Sequence, residues 1–248
     1  MSPAQREPEL SGQTVVLIGG SAGIGLETAR RARTEGAKVI LTGRTPEHLE
    51  RAAEDVGAES TAAFDANDPA ALKDFLDGLP GQIDHVLVTG PGPRYSANLL
   101  ESDIDEVALA LSDHVTLSLA VARNAAPKMR SGGTLIFMGG TGGRKISREL
   151  GIISAATDAL PPFVAALALE LAPVRVNLIA AGFVDTPLSA SLLGDDLEKR
   201  REQLRSTLPI GRVVQPEDVA ALAVHIMINT ALTGATYDID GGQQFVAA

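Results

Sequence analysis

The sequence predicts an α/β protein built on one doubly wound parallel sheet, with helices on both faces and no second domain. Three observations carry this. Short β-branched runs alternate with amphipathic stretches; the spacing between successive runs is long enough for helical crossovers, which parallel strands need; and no repeat or low-complexity linker divides the 248 residues.

The elements follow in order. "TVVLIGG" (14–20) reads as a buried strand, "LETARRARTEGA" (26–37) as a helix, "KVILTGR" (38–44) as a strand and "EHLERAAEDVG" (47–57) as a helix. "STAAFDA", "PAALKDFLDGL" and "HVLVTG" continue the alternation, and about Asp103 to Met129 reads as one long helix. "GTLIFMGG" is a strand, "FVAALALELA" a helix, "VRVNLIAAG" a strand and "GATYDIDGG" the last, giving about seven strands. A polar helical excursion, about residues 186–212, lies between the final two, and residues 1–10 read as a loose tail.

Composition narrows the function. A hydrophobic content of 45% supports a full core, and a net charge of −10 argues against nucleic acid or an anionic membrane surface as partner. There is no cysteine, which excludes disulfides, thiolate nucleophiles and Cys-ligated metal. The polar start "MSPAQREPEL" does not read as a signal peptide and no apolar run reads as a membrane span, so a soluble, cytoplasmic protein is expected.

The first chemical signal is "VVLIGGSAGIGLETA". Gly19, Gly23 and Gly25, with Ile24 between the last two, follow an apolar strand and open a helix, so that backbone amides and the positive helix end can hold a pyrophosphate. At the end of the second strand, where an NAD site would place a carboxylate, stand Gly43 and Arg44. A guanidinium can pair with a 2′-phosphate, so NADP(H) is expected, with Ser21 a second donor; the alternative is that Arg44 is a solvated turn residue.

With these motifs on the page, the chain resembles a classical short-chain dehydrogenase/reductase, a Rossmann-type fold, over nearly its whole length. The resemblance implies that Asp65 and Ala66 in "FDAND" border the adenine and that Thr89, Gly90 and Gly92 in "VTGPG" line the cofactor. It likewise implies that Val184 and Thr186 in "RVNLIAAGFVDTPL" touch the nicotinamide end. "IGRVVQPEDVAALAVHI" and "TGATYDIDGG" match the family's C-terminal segments. Departures are Ile18 for the usual threonine and Ala181 for the usual proline.

Catalysis in that family uses an asparagine, a serine, a tyrosine and a lysine, and the resemblance places these at His114, Gly140, Ile153 and Thr157; all four differ. "GIISAATDALPPFVAALALEL" departs in backbone too. Pro161 and Pro162 predict a helix that breaks, kinks or starts late near Asp158 as N-cap, leaving "GIISAAT" partly irregular and the i, i+4 pairing of positions 153 and 157 lost.

Substitute proton donors are His114 and Tyr95, the alternatives being a space-filling histidine and an ordinary loop aromatic. "GGTGGRKISREL" reads either as an anion-binding turn, with Arg144 and Lys145 beside it, or as a solvated loop. "DDLEKRREQLR" reads as a solvent-facing helix without chemistry, with Glu198 and Glu202 spaced for ion pairs, while the resemblance implies that the excursion at about 186–212 that contains it is the family's variable substrate lid. The resemblance further implies a homo-oligomer, dimer or tetramer, formed through Val107–Met129 and the helix after Pro162. Two functions stand: an NADP(H)-dependent oxidoreductase acting on a small carbonyl or imine compound by an unconventional proton path, or an NADP(H)-binding sensor or assembly protein without turnover.

Overall fold

Seven parallel strands form one sheet in the order β3-β2-β1-β4-β5-β6-β7 among the residues described by the computed structural model, 9–79, 81–89, 99–144 and 150–246. The strands are β1 (Thr14–Ile18), β2 (Lys38–Gly43), β3 (Ser60–Ala63), β4 (Ile83–Val88), β5 (Met129–Gly140), β6 (Arg175–Ala181) and β7 (Thr236–Ile239). Helices α1 (Gly23–Thr34), α2 (Pro46–Val56), α3 (Pro69–Gly78) and α4 (Ile104–Ala125) connect the first five. Helices α5 (Gly151–Asp158) and α6 (Leu160–Glu170) precede β6, and α7 (Pro187–Leu193), α8 (Leu197–Thr207) and α9 (Pro216–Ile228) lie between β6 and β7.

The period of two along each strand sorts the core into two layers. Val16 and Ile18 of β1, Val86 and Val88 of β4, and Leu135 and Phe137 of β5 face one layer, which α3, α4 and α6 cover with Leu72, Leu76, Val121 and Val164. Val15 and Leu17, Leu87 and Ile136 face the other, covered by α1, α2 and α9 with Ala29, Ala32, Leu49, Val219 and Ala223. Both faces being covered is what makes these strands apolar throughout. The order reverses between β1 and β4, so a crevice opens at their carboxyl ends, the place where open parallel sheets bind ligands.

Three expectations are corrected at element boundaries. Residues 1–8 lie outside the described residues, but Leu10 is not tail: it is fully buried and its N–H donates to the Glu35 carbonyl (2.9 Å). The long helix ends at Ala125, three residues before β5, because Pro127 falls in a 3₁₀ turn over Ala126–Lys128. "GIISAAT" is not irregular. It forms α5, held by burial of Ile152 and Ala156 and by Ser154 Oγ donating to the Gly142 carbonyl (3.1 Å). The interruption falls at Ala159, which keeps right-handed helical angles (φ −69°, ψ −25°), and Asp158 is the last residue of α5 rather than an N-cap. Pro161 and Pro162 lie in the first turn of α6, where missing N–H groups cost least.

The stretch Gly151–Glu170, at mean hydropathy 1.7, is long and apolar enough to cross a membrane by length and composition, contrary to the expectation that no run is. In the fold it is a core element, with Leu160, Val164 and Leu167 packed in the first layer, while Leu169 stands 83% exposed. The same reasoning explains Arg175, the buried first residue of β6. Its Nε donates to Gly132 O (3.0 Å), Nη1 to the carbonyls of Ile226 (2.8 Å), Asn229 (3.2 Å) and Leu232 (3.0 Å), and Nη2 to Met227 O (2.8 Å). A cation there satisfies the free carbonyls at the end of α9, where the helix dipole is negative.

Candidate active site

The glycine turn between β1 and α1 is closed to side chains by its neighbours. A Cβ on Gly25 would overlap the Gly19 carbonyl oxygen, and one on Gly19, which has φ +94°, would stand 2.6 Å from Thr89 Oγ1. Gly20 N donates to Thr42 O (2.8 Å) and Thr89 Oγ1 to Gly19 O (2.9 Å), so the turn is pinned to β2 and to the end of β4. The N-cap of α1, Ala22, provides no side-chain cap, and the first N–H groups of the helix carry no side-chain partner. An anion is what such a helix end accepts.

At the end of β2, a Cβ on Gly43 would stand 2.8 Å from Ser21 Oγ, so Gly43 and the Ser21 side chain of the turn are close neighbours. Arg44 is exposed, with no ion pair to a described residue. Phe64 N donates to Gly43 O (3.0 Å), which brings the exposed Asp65 and the adjacent Ala66 to the same edge. Behind the turn, a cavity of about 320 Å³ is lined by Ser21, Arg30, His48 and Arg51. His48 and Arg51 were not legible as site residues. They share one face of α2 at three-residue spacing, a signal only in retrospect.

A larger cavity, about 480 Å³, opens at the carboxyl ends of β4, β5 and β6 and contacts Ile24 and Thr89 on the turn's side. Val184 and Thr186 line it: Val184 is buried and bridged to Val214, and Thr186 N-caps α7 by accepting from Ser189 N (3.1 Å). A Cβ on Gly23 would stand 3.4 Å from the Thr186 side chain, so the glycine turn and this segment face each other.

His114 of α4, Gly140 of β5 and Ile153 and Thr157 of α5 all line the same cavity. The expected loss of geometry does not occur. Ile153 and Thr157 sit one turn apart on a regular helix, Thr157 Oγ1 donating to Ile153 O (3.0 Å), and a Cβ on Gly140 would lie 3.4 Å from Thr157 Cγ2. What changes is chemistry alone: an apolar group and a hydroxyl already turned onto backbone. His114 Nε2 is buried and has no hydrogen-bond partner among the described residues. Burial pushes its pKa below the ordinary 6.5, against a smaller opposing pull from the Asp113 charge. Gly90, Gly92 and Tyr95 lie outside the described residues, as does Lys145.

Of the two readings of "GGTGGRKISREL", the described part favours neither a free anion site nor a solvated loop. Thr141 is buried, Gly142–Arg144 form a 3₁₀ turn, and Arg144 is paired with Asp238 (2.7 Å). The helix α8 meets the cavity on one face. Glu198 and Glu202 pair with Arg201 and Arg205 as expected, while the buried Leu204, the partly buried Arg200 and the exposed Gln203 and Thr207 line the cavity. Their spacing of three, one and three residues marks a helix face and was the available signal.

Comparison with known proteins agrees with this architecture. A family model described as enoyl-(acyl carrier protein) reductase matches residues 19–244. An uncharacterized oxidoreductase of Mycobacterium tuberculosis is 32% identical, over 95% of this chain and 94% of its own. An NADP-dependent (R)-specific alcohol dehydrogenase of Lentilactobacillus kefiri is 29% identical, over 94% and 97%. The crystal structure of BdcA in complex with NADPH superposes with a TM-score of 0.82 at 28% identity, covering 94% of this chain and 95% of that one.

Proposed function

Because the chain belongs to the short-chain dehydrogenase/reductase family and is an oxidoreductase of its type, we propose that it interconverts a small carbonyl or imine compound and its reduced form with NADP(H), by a proton path that does not use the family's tyrosine and lysine. The observation that carries the reading is the juxtaposition of a turn in which Gly19 and Gly25 leave no room for a side chain with a 480 Å³ cavity lined by His114, whose Nε2 has no hydrogen-bond partner among the described residues. In this reading the four catalytic positions are occupied by His114, Gly140, Ile153 and Thr157.

The phosphorylated cofactor is supported by the NADP-dependent relative, by the NADPH complex of BdcA, and by the β2 edge, where Gly43 carries no carboxylate and Arg44 has no ion pair among the described residues. The amides of Gly23 to Gly25 hold the pyrophosphate at the start of α1, Ser21 and Arg44 the 2′-phosphate, and Asp65 and Ala66 border the adenine. Ile24, Val184 and Thr186 enclose the nicotinamide end. When bound, the cofactor supplies or accepts the hydride. Leu109, Leu119 and Leu169, exposed on α4 and α6, support the reading that these helices pair copies of the chain.

The test begins with binding. Arg44→Ala is expected to weaken NADPH about tenfold or more and to leave NADH unchanged, read by fluorescence titration. Wild-type preference for NADH would overturn the cofactor assignment, and tight NADPH binding with no turnover on carbonyl and imine panels would favour the sensor reading.

His114 carries the proton path. In oxidation its neutral imidazole, turned so that the now-buried Nε2 reaches the cavity, accepts the substrate proton, and in reduction its protonated form returns it. Since the pKa is lowered, the base form dominates at pH 7 and still does just below 6.5. Oxidation should therefore hold through pH 6.5 and fall only in more acid solution, while reduction rises over the same window. His114→Gln should lower kcat about a hundredfold and abolish both pH dependences; an unchanged profile sinks the assignment.

A further inference from the structure

The cavity has a cation without a counterion. Arg200 projects from α8 into the cavity wall and is partly buried. Its guanidinium carbon lies 6.0 Å from the centroid of the Phe183 ring, and Nη1 donates to Gln203 Oε1 (2.8 Å). Its neighbours on the helix are paired: Arg201 with Asp185 (2.7 Å) and Glu198, Arg205 with Glu202 (3.3 Å). No carboxylate pairs with Arg200 among the described residues, although the segment from Asp185 to Glu202 is rich in acids. Burial lowers its pKa with no acid acting against it.

The arrangement is oriented as well as unpaired. Arg201 ties α8 to Asp185, directly after Val184, and the adjacent Arg200 is thereby turned to the cavity side. Gln203 and the Phe183 ring then hold the planar guanidinium in place, which reduces the entropy a ligand must overcome. A partly buried guanidinium with no carboxylate beside it among the described residues keeps donors for an anion, and its planar fork matches a carboxylate with two parallel hydrogen bonds. The rest of the wall is mostly apolar, including Leu117, Met138, Ile153, Leu188 and Leu204.

We propose that the substrate carries a carboxylate, that Arg200 is the residue that binds it, and that the carbon chain joining the carboxylate to the reacting carbonyl lies along the apolar wall. This rests on the oxidoreductase reading for the word substrate, but the anion site itself does not. The cofactor's phosphates are met elsewhere, at the glycine turn and the β2 edge, so the cavity-side cation is left for the second ligand.

Binding and turnover separate the two claims. Calorimetry of the NADP⁺-saturated protein with hexanoate and with its neutral counterpart hexanamide should show binding of hexanoate only, and Arg200→Met should weaken hexanoate at least tenfold with the NADP⁺ affinity unchanged. Arg200→Lys, which keeps the charge but not the fork, should fall between. In turnover, Arg200→Met should raise KM for oxo-acids about tenfold or more over wild type and leave KM for the corresponding methyl esters unchanged. Hexanoate binding without turnover of any oxo-acid or other carbonyl compound keeps the site and sinks the oxidoreductase reading. Turnover of neutral carbonyls with no hexanoate binding, or weaker NADP⁺ binding in Arg200→Met, overturns the site and leaves the oxidoreductase reading standing.

Discussion

Gly25→Ala is expected to weaken NADPH by more than about a thousandfold, equivalent to roughly 4 kcal/mol, and to destabilise the apo-protein as well. The added methyl would overlap the Gly19 carbonyl oxygen and stand 3.0 Å from both Gly19 C and Thr89 Oγ1. The first two are backbone atoms, and Thr89 Oγ1 is tied to the Gly19 carbonyl (2.9 Å). Gly19 is held by Thr89 Oγ1 and Gly20 by the Thr42 carbonyl, so the collision resolves only by moving the start of α1 away from the turn, carrying off the amides meant for the pyrophosphate. Gly78→Ala is the control. Nothing lies within 4 Å of its Cβ, and the change should stay within about 0.5 kcal/mol. Fluorescence titration with NADPH and urea unfolding read the two effects, and a Gly25→Ala protein with near-normal affinity would refute the pyrophosphate assignment.

Arg175→Met should cost about 4 kcal/mol of folding stability without altering cofactor affinity in the folded protein. The side chain donates to five carbonyls, from Gly132, Ile226, Met227, Asn229 and Leu232. Methionine fills much of the volume but leaves the buried Ile226 and Met227 carbonyls and the part-buried Gly132 and Asn229 carbonyls without this donor, the Leu232 carbonyl keeping Asn177 Nδ2 (2.9 Å), and unmet buried acceptors cost more than a hydrogen bond contributes. Burial lowers the Arg175 pKa, against a smaller opposing pull from Tyr237, and a guanidinium so placed remains a cation at neutral pH. Arg175→Lys should recover only part of the loss, because one ammonium cannot reach acceptors fanned over three nitrogens. Urea unfolding measures the cost, and amide exchange should quicken first at the end of α9. A loss below about 1 kcal/mol would mean that water replaces the guanidinium and that the cluster is not a clamp.

How much was legible can be judged residue by residue. The turn at Gly19, Gly23 and Gly25 was readable because its chemistry is local: a strand, a tight turn and a helix start within a dozen residues. The parallel sheet was readable because the period of the apolar runs and the length between them report burial and crossovers directly. The α5–α6 junction was half readable. Pro161 and Pro162 announced an interruption, but its placement at Ala159, and the regularity of α5 before it, came from Ile152, Ser154 and Ala156 meeting partners far away in the chain.

By itself, the sequence determined the fold class, the glycine-rich turn after β1 and the absence of a carboxylate at Gly43 and Arg44. Only the tertiary structure decided that β1 neighbours β4, that Ser21 lies against Gly43, that Arg175 closes α9, and that Arg200 faces the cavity while Arg201 faces an acid. The division has one cause. Backbone propensity and periodicity act over a few residues and are written in order along the chain, whereas the partner of a buried charge or a glycine is set by packing between segments tens of residues apart.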